Sequence, residues 1–188
     1  MENNILIVVD MQNDFLTGSL ANPDALALVP KINNLMKSEN WTSIIMTQDT
    51  HSYNYLNTAE GRKLPIPHCI EGTAGWCIEE TLYRTLKTEM THSGIIITKS
   101  TFGACWDDPY LESIFSTRPD KIILVGTCTD ICVVTNALLL KTRFPNSNVI
   151  VYEDLCAGST PEKHNAALEI LKSCQVTVCR SDVEKEEN

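Results

Sequence analysis

No stretch of this 188-residue sequence approaches the roughly 18 consecutive apolar residues that a membrane span requires. Nothing at its start resembles a secretory signal, so a cytoplasmic protein is expected. Basic charge is scarce: 15 Lys and Arg face 24 Asp and Glu, a net charge of −9, and the basic residues form no cluster. Nucleic acids and anionic membranes are gripped through such clusters, which excludes both as partners. Small molecules and further copies of the chain, as a homo-oligomer, remain. No G-x-G-x-x-G follows the first apolar run, which removes the dinucleotide-binding fingerprint. There is neither an internal repeat nor a low-complexity linker, so residues 1–188 are expected to form one domain. Only the acidic tail "DVEKEEN" (182–188) reads as disordered.

What is present is an alternation of strands and helices. Apolar, β-branched runs occur at 4–10, 43–49, 94–100, 121–127, 148–154 and 176–179, and most are continuous rather than alternating. Strands buried on both faces read this way. Helical patterns lie between them at 24–38, 77–89, 108–115, 130–142 and 160–173, several opened by a capping Asp, Ser or Thr. Pro30 should kink the first or shorten it to the part after Val29. The expected fold is α/β, a three-layer αβα arrangement with a six-stranded, mostly parallel sheet. The eight cysteines lie partly inside these elements and read as reduced thiols rather than a disulfide framework.

Sheets of this kind bind ligands beyond the carboxyl ends of their strands. Here the first run ends on Asp10, the second on Asp49, the third on Lys99, and the fourth enters Cys128, Thr129, Asp130 and Cys132. Singly, an Asp there is usually a cap, a Lys is solvated and a Cys is a small core residue. Together they suit nucleophilic catalysis. An Asp can take a thiol proton, while a Lys and a helix N-terminus favour the thiolate, so a low-pKa cysteine is expected. The C-x3-C spacing of Cys128 and Cys132 does not match the paired ligands of structural zinc sites. In the loop "QDTHSYNYLNTAEGRKLPIPHC" (48–69), Asp49 and His51 form D-x-H, and His68 can return to complete a facial metal set. A polar loop with a capping Asp and surface histidines is the other reading of those residues.

The segments "VVDMQNDF", "ITKSTF" and "VGTCTDICVVTNAL" resemble, in content and order, the isochorismatase-like cysteine hydrolase superfamily, whose amidases include the nicotinamidases. The likeness runs from Ile5 to about Val178. It implies a catalytic triad of Asp10, Lys99 and Cys132, with a cis bond between Thr127 and Cys128 and an oxyanion hole made by the backbone N–H groups of Cys128 and Cys132. It also implies a divalent ion, commonly zinc with iron or manganese as alternatives, held by Asp49, His51 and His68, with Glu60 as an added ligand. Phe15 matches an aromatic lining the family's substrate pocket. Pro65 stands where many nicotinamidases carry a stacking Trp, and a short connection after Lys99 offers Phe102 as a pocket wall instead. Trp76 and Trp106 are further aromatic candidates whose ordinary role is packing. The implied activity is cysteine-dependent hydrolysis of a small amide, nicotinamide to nicotinate and ammonia being the leading case. Hydrolysis of a carbamoyl or ureido compound, and a non-catalytic binding protein on the same fold, are the alternatives.

Overall fold

The computed structural model describes residues 2–38, 41–89 and 94–182. The β-branched runs become β1 (Asn4–Val9), β2 (Ser43–Asp49), β3 (Gly94–Lys99), β4 (Lys121–Thr127), β5 (Asn148–Ala157) and β6 (Thr177–Cys179). They form one sheet in the order β3-β2-β1-β4-β5-β6, and every pairing is parallel. Continuous apolar runs follow from this, because both faces are covered. Leu6 and Val8 face Ile44 and Met46 under α3 (Val29–Ser38) and α5 (Glu80–Glu89). Ile5, Ile7 and Val9 face the other way, under α6 (Val134–Arg143) and α7 (Pro161–Ser173). Each such fully buried side chain contributes about 2 kcal/mol.

Strand order reverses at the β1–β4 pair, and there the two backbones approach closely. A Cβ on Gly126 would lie 2.2 Å from the Val9 carbonyl oxygen, and Gly126 has φ +120°, so only glycine fits. The carboxyl ends of β1 and β4 thus open onto the crevice expected at a topological switch point.

Several boundaries differ from expectation. β1 stops at Val9 because Asp10 adopts φ +49°. β5 runs on to Ala157 after a register shift against β4. The helix expected over 24–38 is two: α2 (Pro23–Leu26), capped by the Asn22 side chain, and α3, whose first turn accommodates Pro30 without needing its missing N–H. Residues 108–115 form only a 3-10 turn, Pro109–Leu111, within a chain of turns. So short a segment recovers little of the cost of helix nucleation, although Leu111 and Phe115 are buried. The helix expected from Asp130 begins as a π-helical turn, Thr129–Val133, before α6. Two short helices were not anticipated, α1 (Asn13–Leu16) and α4 (Ala59–Lys63). The acidic tail lies, beyond Asp182, outside the described residues. Among the described residues no helix is long and apolar enough to cross a membrane.

Candidate active site

Parallel register brings the ends of β1, β2 and β3 level, and Lys99 is the residue where they meet. Its Nζ lies 2.7 Å from Asp10 Oδ2, 3.4 Å from Asp49 Oδ1 and 3.6 Å from Cys132 Sγ, and it donates to the Thr101 carbonyl at 3.2 Å. Asp10, Lys99 and Cys132 are all buried. Asp10 is pinned by Thr47, whose hydroxyl donates to Oδ1 at 2.6 Å and accepts from the Asp10 N–H at 3.2 Å. The Thr127–Cys128 bond is cis. In the π turn the N–H groups of Ile131 and Val133 both donate to the Cys128 carbonyl, at 3.1 and 3.0 Å, so the Cys132 N–H between them is not directed there.

Electrostatics assign the proton. Burial raises Asp10 above its ordinary value, while Lys99 and Thr47 pull it back. Burial works against a charged Lys99, yet Asp10, Cys132 and Asp49 outweigh it and hold the ammonium. Burial raises Cys132 well above the usual thiol value, the Asp10 charge adds to that, and Lys99 only opposes it. This corrects the expectation of a low-pKa cysteine: desolvation outweighs the lysine and the helix start. Burial thus favours the protonated thiol at Cys132, beside an Asp10 held in an ion pair by Lys99. Cys128 is also raised by burial.

Asp49, His51 and His68 form a second cluster, buried, with one ligand atom from each lying within 4.8 Å of the others. Asp49 Oδ2 is 2.9 Å from His51 Nε2 and 3.6 Å from His68 Nε2. Glu60 Oε1 stands 3.8 Å from both Nε2 atoms. His68 Nδ1 faces the Ile66 carbonyl at 2.9 Å, an acceptor that makes Nδ1 the donor and turns Nε2 toward Asp49 and Glu60. His51 Nε2 is buried without a well-directed hydrogen bond. Two imidazole Nε2 atoms and a carboxylate, buried and converging on one point, are a donor set that suits a divalent ion. Burial alone would raise Asp49, but His51 and Lys99 hold it below its ordinary value; the nearby Asp49 carboxylate raises His51.

The loop residues owe their places to side chains that sequence reasoning passed over. Gln12, fully buried, donates from Nε2 to the Asp49 carbonyl at 2.9 Å and accepts the Asp49 N–H on Oε1 at 2.7 Å. Its Nε2 also holds the Trp76 carbonyl at 2.7 Å. Asp14 Oδ2 accepts the Cys69 N–H at 2.7 Å, next to His68, and the His51 N–H donates to the Cys69 carbonyl at 2.9 Å. Both side chains lie in the quoted "VVDMQNDF", and their only signal in the sequence was an amide and an acid just after a strand end. Tyr55 packs on both histidines, with ring centroids at 4.8 and 5.0 Å. Burial and the Glu60 and Asp49 charges push its phenol up to about 12, so it stays neutral. Phe15 is half-buried with its ring 5.7 Å from His68, whereas Phe102 is 50% exposed on the loop after Lys99. Trp76 donates to the Thr50 hydroxyl, and Trp106 is buried beside Phe115.

Residues 4–183 match the family described as Isochorismatase domain. The chain belongs to the isochorismatase family. Over 203 residues it is 25% identical to the nicotinamidase of Schizosaccharomyces pombe, covering 92% of this chain and 91% of that one. It is 29% identical over 185 residues to the nicotinamidase/pyrazinamidase of Mycobacterium tuberculosis, covering 94% and 98%. The pyrazinamidase of Pyrococcus horikoshii, solved in complex with zinc, superposes with a TM-score of 0.74 at 25% identity, over 95% of this chain and 99% of that one. In this isochorismatase-family chain both clusters sit on the carboxyl edge of the sheet, joined through the contacts of Lys99 with Asp10 and Asp49.

Proposed function

We propose that the protein is an amidohydrolase that converts nicotinamide to nicotinate and ammonia. The observation that carries this is the meeting of the ends of β1 and β3 with the turn after β4: a buried ammonium within 3.6 Å of both a carboxylate and a thiol. Asp10 takes the Cys132 proton as the thiol sulfur attacks the amide carbonyl. The backbone N–H groups of Cys128 and Cys132 hold the oxyanion. Asp10 returns the proton to departing ammonia, then deprotonates the water that hydrolyses the thioester. Lys99 keeps Asp10 ionised and oriented through the cycle.

Asp49, His51 and His68, with Glu60 alongside, would hold the divalent ion, which we take to be zinc. Bound there, such an ion would supply Lewis acidity for holding a substrate ring nitrogen. Phe15, beside His68, serves as an apolar wall for that ring. Free thiols at Cys69, Cys128, Cys132 and Cys156 support a reducing, cytoplasmic setting.

An ammonia-release screen of nicotinamide, pyrazinamide, carbamoylated amines and ureido acids tests the proposal, with Cys132→Ala as control. The expected result is Cys132-dependent ammonia from nicotinamide with kcat/KM above roughly 10⁴ per molar per second. Release from the ureido or carbamoyl set alone would replace the substrate, the outcome that Pro65 in place of a stacking Trp and the short connection after Lys99 would favour. No release from any amide would return the chain to a binding role.

A further inference from the structure

Asn136 is fully buried in α6, one helical turn beyond Cys132. An amide in that position is costly unless every donor and acceptor is used. Here all four bonds are made. Oδ1 accepts the Ala104 N–H at 2.8 Å and the Trp106 indole N–H at 3.0 Å. Nδ2 donates to the Cys132 carbonyl at 2.8 Å and to the Phe102 carbonyl at 3.2 Å. Three of these bonds go to the loop after β3, and the fourth goes to the backbone of the cysteine itself.

That loop adjoins the chemistry at both ends. Lys99 precedes it and donates to the Thr101 carbonyl, while Ala104 and Trp106 share a buried cluster with Cys132. Its outer side opens on a cavity of about 430 Å³ between Phe102 and the α6 residues Thr135 and Leu139. Besides Asn136, the loop is held by the burial of Ala104 and Trp106 and by the Lys99 bond to the Thr101 carbonyl, and among the described residues Asn136 alone ties it by hydrogen bonds to the Cys132 turn.

We propose that Asn136 is a positioning residue that locks the 101–106 loop to the Cys132 turn, so that one amide sets both the loop packed over the nucleophile and the bearing of the nucleophile. This rests on the amidase reading for its kinetic readout only. Two substitutions separate the halves. Asn136→Ala removes all four bonds. Asn136→Thr removes the three loop bonds but leaves a hydroxyl able to bond back to the carbonyl four residues earlier, as Thr135 already does to Ile131 at 2.6 Å in the same helix.

For Asn136→Ala we expect KM to rise and kcat to fall, each by about tenfold. For Asn136→Thr the expected result is a similar rise in KM with kcat close to wild type. Both variants should label faster at Cys132 with iodoacetamide, read peptide by peptide by mass spectrometry, because the released loop no longer shields the thiol. Unchanged KM and unchanged labelling in the variants would overturn the proposal, as would an equal loss of kcat in both. If Asn136→Ala does not fold, Asn136→Thr alone decides between faster labelling and none. Labelling needs no substrate, so wild-type protein that releases no ammonia would sink the amidase reading and leave this test standing.

Discussion

The two clusters on the carboxyl edge are built by different means. Asp10 and Lys99 extend directly from β1 and β3, and Cys132 rides on the turn that leaves β4, so their convergence follows from parallel strand register. Of the metal-ligand candidates only Asp49 belongs to a strand. His51, Glu60 and His68 lie on a connection held by Gln12, Asp14 and the backbone of Cys69. A sheet positions its strand ends through many shared hydrogen bonds, whereas a loop site depends on a few identifiable side chains. Loss of a supporting residue should therefore harm the second cluster selectively.

The largest effect is expected from Cys132→Ala, which should lower turnover by about 10⁴-fold or more. A small thiol at a helix start contributes little packing, so circular dichroism and metal content should match wild type. Loss of metal from this variant would break the separation between the clusters. Asp10→Asn should follow, with kcat/KM down by about 10²- to 10⁴-fold because an amide cannot accept the thiol proton. It also leaves the Lys99 ammonium with Asp49 as its remaining carboxylate, so a denaturant titration should show a loss of about 3 kcal/mol.

On the loop side, His51→Ala or His68→Ala should strip the ion, measured as metal per chain by mass spectrometry, while circular dichroism stays as in wild type. Gln12→Ala should weaken metal affinity by about 10- to 100-fold, since it frees the backbone of Asp49 without removing a ligand. Full metal affinity in Gln12→Ala would erase the distinction between strand-built and loop-built sites. The smallest effect is a pH shift. Burial raises Asp10, so the base is lost on acidification at a higher pH than for an ordinary carboxylate, and kcat/KM should fall on that acid limb. The Thr47 hydroxyl bond lowers Asp10, so Thr47→Val should move the limb to higher pH; a limb that moves down or stays put would show that another group titrates.

Asp10, Lys99 and Cys132 were legible because each ends or follows a run whose β-branched, two-face-buried pattern marks a parallel strand. For Asp49, His51 and His68 the spacing within one loop left a polar-loop reading open, and the family resemblance pointed to a metal set; the structure brings the three together as a cluster that could hold an ion. Gln12 and Asn136 were not, since a polar residue near an element's end carries no mark of which distant backbone it will bond. The direction of the Cys132 shift was misread for a related reason: neighbouring charges can be listed from a sequence, but the desolvation that outweighs them is a property of the packed site.

The order of strands and helices, and the residues standing at strand ends, were determined by the sequence alone, because hydrophobic periodicity and capping act over a few residues. Which ends become neighbours was decided by the tertiary structure. The reversal at β1 and β4 sets the thiol beside the carboxylate, and the π turn takes the Cys128 carbonyl for Ile131 and Val133. Loop placement belongs there too, since Gln12, Asp14 and Asn136 act on backbone groups more than 30 residues away, as in the bonds to Asp49, Cys69 and Ala104. Burial completes the site by holding the proton on Cys132, because desolvation exists only once the chain has closed around the thiol.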